Sequence, residues 1–276
     1  MRTAVVAGYP LAFDERGSGP PLLLVHGSVN DLRAWQNQMP AFAGHFRTIA
    51  VSLRHCWPER WDGRGGTFTV ARHVADLAGF IDQRALGPMH VVGHSRGGAV
   101  ALQLALTHPA HVQSLVLADP GGLEALLPDT AEGRAMATES STMFAALAAD
   151  LAQGDAERAA RAFVDALGGP GAWDRRRPEQ KAILLDNIAT GPHCAERPRF
   201  TVAALRALTM PLLLVTGARS PARYAIMLHA LRGLYDPPPP VVVVPDAAHA
   251  MNRENPAVFN AAVLAFLSGV APRAGP

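Results

Sequence analysis

Apolar residues in this chain come in short unbroken runs rather than in the alternation of a sheet with one wet face. PLLLVHG at 21–27, FRTIAVS at 46–52, MHVVG at 89–93, VQSLVLA at 112–118, PLLLVTG at 211–217 and VVVV at 241–244 each read as a strand. Runs apolar throughout are expected to be buried on both faces. Between them the apolar spacing turns helical. Val70, Val74, Leu77 and Ile81 follow the helical period behind Thr69 as a cap, and Gly87 stops the run. AVALQLALTH after Gly98 and residues 256–268, with Pro256 in the first turn, read as helices, and Asn30 to Phe42 has helical character. Upstream, TAVVA and YPLAF, broken by Gly8 and Pro10, suit an antiparallel opening pair, and the tail APRAGP reads as frayed. Strands alternating with helices predict an α/β fold with a mostly parallel sheet flanked by helices.

Such a sheet carries its active residues in loops at the carboxyl ends of the strands. Three loops qualify: His26-Gly27-Ser28, the stretch from Gly93 to Gly97, and Asp246-Ala247-Ala248-His249. The second, Gly93-His94-Ser95-Arg96-Gly97, fits G-x-S-x-G, the nucleophile elbow in which a serine is exposed on a tight strand-to-helix turn. Five residues alone recur by chance in a chain rich in glycine and alanine. The strand before and the helix after supply the context that the motif requires, and Gly93, Gly97 and Gly98 keep the turn slim.

Composition narrows the partners. The 276 residues are 49% hydrophobic and 17% charged, with a formal charge of +2, so a globular chain with a sizeable core is expected. Arginines and acids are interspersed, with no basic stripe for nucleic acid. Cys56 and Cys194 lie in no metal-ligand spacing and read as free thiols. No window reaches a membrane span and no leader pattern opens the chain, so the expected compartment is the cytoplasm. A small-molecule substrate is expected as the partner, without nucleic acid, membrane, metal or cofactor; a homodimer remains open.

The stretches LLLVHGS, VVGHSRGGAVALQLALTHP, LVLADP, PLLLVTG and PDAAHAMNRENP together resemble the α/β-hydrolase-fold superfamily over essentially the whole length. The resemblance implies a serine hydrolase in which Ser95 is the nucleophile and His249, after the last strand and before the closing helix, the general base. A serine hydroxyl is a weak nucleophile until an imidazole accepts its proton. It further implies an oxyanion hole from the main-chain N–H groups of Ser28 and Arg96. The Arg96 side chain reads equally as a substrate contact or as the partner of a surface carboxylate.

Two departures stand out. The family's D-x-R-G-x-G loop is replaced by Ser52-Leu53-Arg54-His55-Cys56-Trp57-Pro58, and its G-x-x-D-P acid turn reads Gly217-Ala218-Arg219-Ser220-Pro221. The usual acid is missing. Zearalenone-lactone hydrolases are similar in this respect, taking the acid from the end of the sixth strand. Asp119, which ends QSLVLA, is the matching residue and keeps the order nucleophile, acid, base. Asp246 and a chain with no acid remain the alternatives.

Residues 121–205 interrupt the alternation with helix-prone, amphipathic segments. The expected organisation is a hydrolase core of 1–120 and 206–276 with a helical cap, 121–205, over Ser95. His26, Trp35, His94, Trp57, Met143, Phe144 and Met251 are candidate pocket residues, which would suit an apolar or aromatic substrate. The expected function is hydrolysis of an ester or lactone through an acyl-enzyme. Hydrolysis of a carbon-carbon bond beside a ketone with the same residues, or a non-catalytic ligand receptor on the same fold, stand as alternatives.

Overall fold

The apolar runs become strands that feed two cores at once, except that VVVV at 241–244 lies at the sheet edge with Val241 and Val243 exposed. The computed structural model describes residues 1–196 and 198–271, so the expected frayed end, from residue 272 on, lies outside the described residues. Eight strands form one sheet: β1 (Arg2–Val6), β2 (Tyr9–Arg16), β3 (Pro21–Val25), β4 (Arg47–Val51), β5 (Met89–His94), β6 (Val112–Ala118), β7 (Leu212–Gly217) and β8 (Val241–Val244). Their order is β1-β2-β4-β3-β5-β6-β7-β8, antiparallel at the β1-β2 and β2-β4 pairings and parallel from β4 onward. Successive side chains point to opposite faces. Leu23, Val25, Val91, Leu115, Leu117 and Leu214 therefore enter one core, while Leu22, Leu24, Val92, Val116, Leu213 and Val215 enter the other.

Helices cover both faces. α1 (Met39–Ala43), α2 (Val70–Gln83) and α3 (Arg96–Thr107) precede β6. The hydroxyl of Thr69 accepts the N–H of Arg72 at 3.1 Å, capping α2, whose Val74, Leu77 and Ile81 pack with Val100 and Leu104 of α3 in the first core. The stretch 30–42 realises its helical character in two short pieces rather than in a continuous helix. It folds as a 3-10 turn, Leu32–Trp35, and the five-residue α1. Asp31 caps the turn by accepting the N–H of Arg33 at 2.8 Å, and Pro40, which has no N–H to give, is tolerated only because it opens α1.

Between β6 and β7 the described residues form helices and no strand: α4 (Ala131–Ala152), α5 (Ala156–Gly168), α6 (Pro178–Asp186), a 3-10 stretch Ile188–Ala195, and α7 (Val202–Arg206). α4 and α5 meet through Phe144 and Phe163, whose rings lie 5.7 Å apart. After β7 come α8 (Ala222–Arg232), α9 (Met251–Glu254) and α10 (Pro256–Ser268), the last capped by Asn255. Met39, Phe42, Phe259 and Val263 of α1 and α10 fill the second core, and Trp35 and Met251 are sealed there, with Trp35 6.4 Å from the Phe259 ring.

Trp35→Ala is therefore expected to lower unfolding free energy by about 3–5 kcal/mol, the range for emptying a fully buried large aromatic site. Denaturant titration measures it, and a loss below about 1 kcal/mol would contradict the packing described.

Candidate active site

Strand register brings the catalytic candidates to one edge of the sheet. Val25 pairs with Gly93, His94 with Ala118 and Ala118 with Val215, so β3, β5, β6 and β7 end level with one another. Main-chain bonds carry this alignment past the strands. Ser95 N–H donates to the Ala118 carbonyl at 2.9 Å, Asp119 N–H to Val215 at 3.0 Å, and Gly121 N–H to Ser95 at 3.0 Å.

Ser95 sits at φ 55°, ψ −121°, a sparsely populated conformation that costs about 1–3 kcal/mol unless its surroundings enforce it. Close packing enforces it here. A Cβ on Gly93 would fall 2.4 Å from the Gly97 carbonyl oxygen, and one on Gly97 would fall 2.2 Å from that of Val25.

Asp119 and His249 meet in this edge although 130 residues separate them, with Nδ1 of His249 and Oδ2 of Asp119 3.1 Å apart. The same Oδ2 accepts the Ser220 hydroxyl at 2.6 Å. Ser220, at the family's usual acid position, thus donates to the carboxylate of Asp119. Asp119 is fully buried, and burial raises its carboxyl to about 7 against the hydroxyls of Ser220 and Thr216, which lower it. Asp246, the alternative acid, is exposed.

Two further rings hold the imidazole. Tyr224, from α8, stacks on His249 with centroids 4.7 Å apart and planes 21° from parallel. His94 contacts its main chain: Nε2 lies 2.7 Å from the His249 carbonyl, which only accepts, so His94 carries its proton on Nε2. Burial, followed by the neighbouring His249, lowers His94 to about 3 and keeps it neutral.

The loop after β3 is fixed with equal care. His26 Nε2 accepts the N–H of Leu53 at 3.0 Å, which leaves Nδ1 to donate to the Gly27 carbonyl at 2.8 Å. At Gly27 a Cβ would lie 3.0 Å from that of Ser95, so glycine lets the loop approach the nucleophile. Asn30 donates to the Ser28 carbonyl at 2.8 Å. The Arg96 N–H opens α3, where amides lack partners inside the helix. Its side chain points elsewhere, donating to the Glu196 carbonyl at 2.7 Å and lying over the Phe68 ring.

Ser28, His94, Ser95 and His249 line one cavity of about 400 Å³ of empty space. Phe163, Val164 and Leu167 of α5 and Leu184 of α6 form its apolar wall. The sequence-based pocket is corrected in most of its members. Trp35 and Met251 belong to the second core, and Phe144 and Met143 pack in the first. Trp57 lies under the Arg33 guanidinium, 3.9 Å from its ring, and His26 is a strut of the loop. Only His94 of the seven lines the cavity. Tyr224, read from the sequence as lying near the mouth, instead stacks on His249, whereas Arg176 and Arg253 went unrecognised as neighbours of the site, since nothing local in the sequence sets them against it.

Fold and site together define a serine-type α/β hydrolase. Residues 20–256 match the family described as alpha/beta hydrolase fold, and the chain belongs to it. A 2-(acetamidomethylene)succinate hydrolase of Mesorhizobium japonicum is 28% identical over 263 residues, 92% of this chain and 90% of that one. A 2-hydroxy-6-oxo-2,4-heptadienoate hydrolase of Pseudomonas putida is 34% identical over 132 residues, 46% of this chain and 47% of that one. An esterase from Thermogutta terrifontis, solved with malate bound, superimposes with a TM-score of 0.77 at 25% identity over 98% of each chain. Other relatives are longer: the match to an uncharacterized protein of Mycobacterium tuberculosis, 32% identical, spans 45% of this chain and 36% of that one.

Gly97→Ala is expected to lose about 1–3 kcal/mol of stability, because its methyl group would meet two carbonyl oxygens rather than flexible side chains. An unchanged melting temperature would show that the elbow relaxes more easily than its contacts imply.

Proposed function

We propose that this protein is a serine hydrolase that cleaves an ester or lactone of a small molecule through an acyl-enzyme. The observation that carries the reading is the buried Asp119–His249 hydrogen bond beside the strained Ser95 elbow. Asp119 holds the proton on Nδ1, which leaves Nε2 as the base. Ser95 Oγ attacks the substrate carbonyl carbon while Nε2 takes its proton. The carbonyl oxygen becomes an oxyanion, held by the N–H groups of Ser28 and Arg96. As the intermediate collapses, the imidazolium returns the proton to the leaving oxygen and the acyl group stays on Ser95. Water then attacks the acyl carbon as His249 takes its proton, and collapse breaks the bond to Ser95 Oγ, which recovers that proton as the acid leaves.

A cytoplasmic, cofactor-free enzyme belongs to this reading; the buried free thiols of Cys56 and Cys194 suit a reducing compartment. Carbon-carbon hydrolysis beside a ketone is the second reading, favoured by the similarity to the heptadienoate hydrolase.

Ser95→Ala is expected to abolish ester turnover with unchanged melting, and a fluorophosphonate should label one site per wild-type chain and none in the variant. Labelling that survives the substitution would remove Ser95 from the mechanism. Asp119→Asn should cut turnover at least about a hundredfold, given the roughly 10⁴ that the equivalent change costs a serine protease, whereas Asp246→Asn should cost under about tenfold. Equal effects would leave Asp119 without the assigned role.

The pH profile has a definite sign. The active form needs a neutral imidazole facing an ionised carboxylate, and burial raises the carboxyl to about 7. Each proton bound by the pair as pH falls removes the base, so kcat/KM should decline below about pH 7 and level off above it. Because a carboxylate favours imidazolium, Asp119→Asn should move the surviving acid limb to lower pH. A limb that stays in place would detach Asp119 from the titration.

A further inference from the structure

The cavity beside Ser95 opens through a neck into a wider funnel of about 910 Å³ of empty space, and both are lined by Gly168, Arg176, Ala250, Arg253 and Glu254. Two cations therefore stand where the cavity of Ser95 meets the funnel. We propose that the substrate carries a carboxylate, which seats between the guanidinium groups of Arg176 and Arg253 while the scissile carbonyl reaches Ser95. This assignment rests on the hydrolase reading and names the substrate class it requires.

Arg176 comes from the loop between α5 and α6, and Arg253 from α9, four residues beyond His249. Both are half-buried, and neither forms a salt bridge among the described residues. Arg253 donates only to the neutral Asn30 Oδ1, at 3.0 Å, and the buried Nε of each arginine has no partner. The surrounding carboxylates are committed. Glu254 accepts the Ala248 N–H at 2.6 Å, Asp165 that of Trp173 at 2.8 Å, and Asp31 is held by Arg33 and Asn187.

Buried charges are ordinarily paired, because desolvation without a counter-ion is costly. Burial and then the neighbouring Arg176 lower Arg253 to about 9, as expected for two cations short of an anion. The neck holds two guanidiniums and one carboxylate, a surplus of one charge, which matches a monoanion better than a phosphate dianion. Guanidinium also offers the fork that carboxylate oxygens accept. The funnel adds Arg175, Arg177 and Arg219 against Asp246, a field that draws anions inward.

The test compares 4-nitrophenyl hydrogen adipate with 4-nitrophenyl hexanoate, an acid and its neutral match. The wild type should prefer the acid by about tenfold or more in kcat/KM, and Arg176→Gln and Arg253→Gln should each reduce that ratio by about tenfold. Arg176→Lys should retain part of it. A ratio at or below one in the wild type, or an unchanged ratio in both glutamine variants, overturns the proposal. Should Arg253→Gln fail to fold, Arg176→Gln carries the comparison alone.

A readout independent of turnover is the melting temperature with glutarate, which should rise for the wild type and not for the double glutamine variant. No rise in the wild type, or an equal rise with inorganic phosphate, overturns the carboxylate assignment. Failure of both esters and of fluorophosphonate labelling overturns the hydrolase reading instead, while the glutarate shift still reports on the arginines.

Discussion

One main-chain hydrogen bond, from the Ser95 N–H to the Ala118 carbonyl, decides where everything else in the site stands. It extends the β5-β6 ladder one step beyond the strands, so the elbow and the residue after β6 rise together. A shift of one residue would turn every side chain of the strand to the wrong face. The register is secured from below by the two cores, because Leu115 and Leu117 fit one and Val116 and Ala118 the other. The same alignment explains how the acid can leave β7. β6 and β7 are neighbours, Asp119 bonds to Val215, and Ser220 donates to Asp119, so a carboxylate from either strand end reaches one imidazole.

Such alignment has a cost that the core bears. Ser95 and Asp119 both take positive φ, at 55° and 40°, and each conformation is unfavourable by about 1–3 kcal/mol. Polar groups around them are withdrawn from water and must find partners within the protein. His26 stays neutral and bridges two main-chain groups, and His94 stays neutral and donates to the His249 carbonyl, which makes them struts rather than acids or bases. Three buried polar atoms that line the cavity are left open: Ser28 Oγ, Arg176 Nε and Arg253 Nε. Unpaired buried atoms occur elsewhere too, on Trp35 and His73, within the packed core.

The sheet was legible because its signal is local. Leu22 to Val25 and Leu115 to Ala118 are apolar at every position, as a strand buried on both faces requires, and all of them are buried. The elbow was legible for the same reason, since Gly93, Ser95 and Gly97 constrain one another within five residues. Asp119 was readable from a vacancy at Ser220. The pocket was not. Trp35, Phe144 and Met251 have the bulk and apolar character of pocket residues, but those properties equally suit a core, and position in the fold alone separates the two. The helical character of 30–42 was legible but its division was less so, because Asp31 and Pro40 each start a separate short piece where the apolar pattern runs on. Tyr224 reaches His249 from another strand-helix unit, and no spacing in the sequence announces it.

The division of labour follows from the topology. The candidate catalytic residues come from loops after β3, β5, β6 and β8, whose positions the sheet dictates, whereas the cavity wall of Phe163, Val164, Leu167 and Leu184 comes from α5 and α6. Those helices contribute no strand to the sheet and can change without disturbing its register. Arg96 joins the two layers: its amide belongs to the elbow while its guanidinium grips Glu196 at the end of the inserted helices, and Glu196 in turn accepts the Val70 N–H at the start of α2. The residue after Ser95 therefore holds the inserted segment against the core, so the elbow and the segment that supplies the cavity wall are tied through a single side chain.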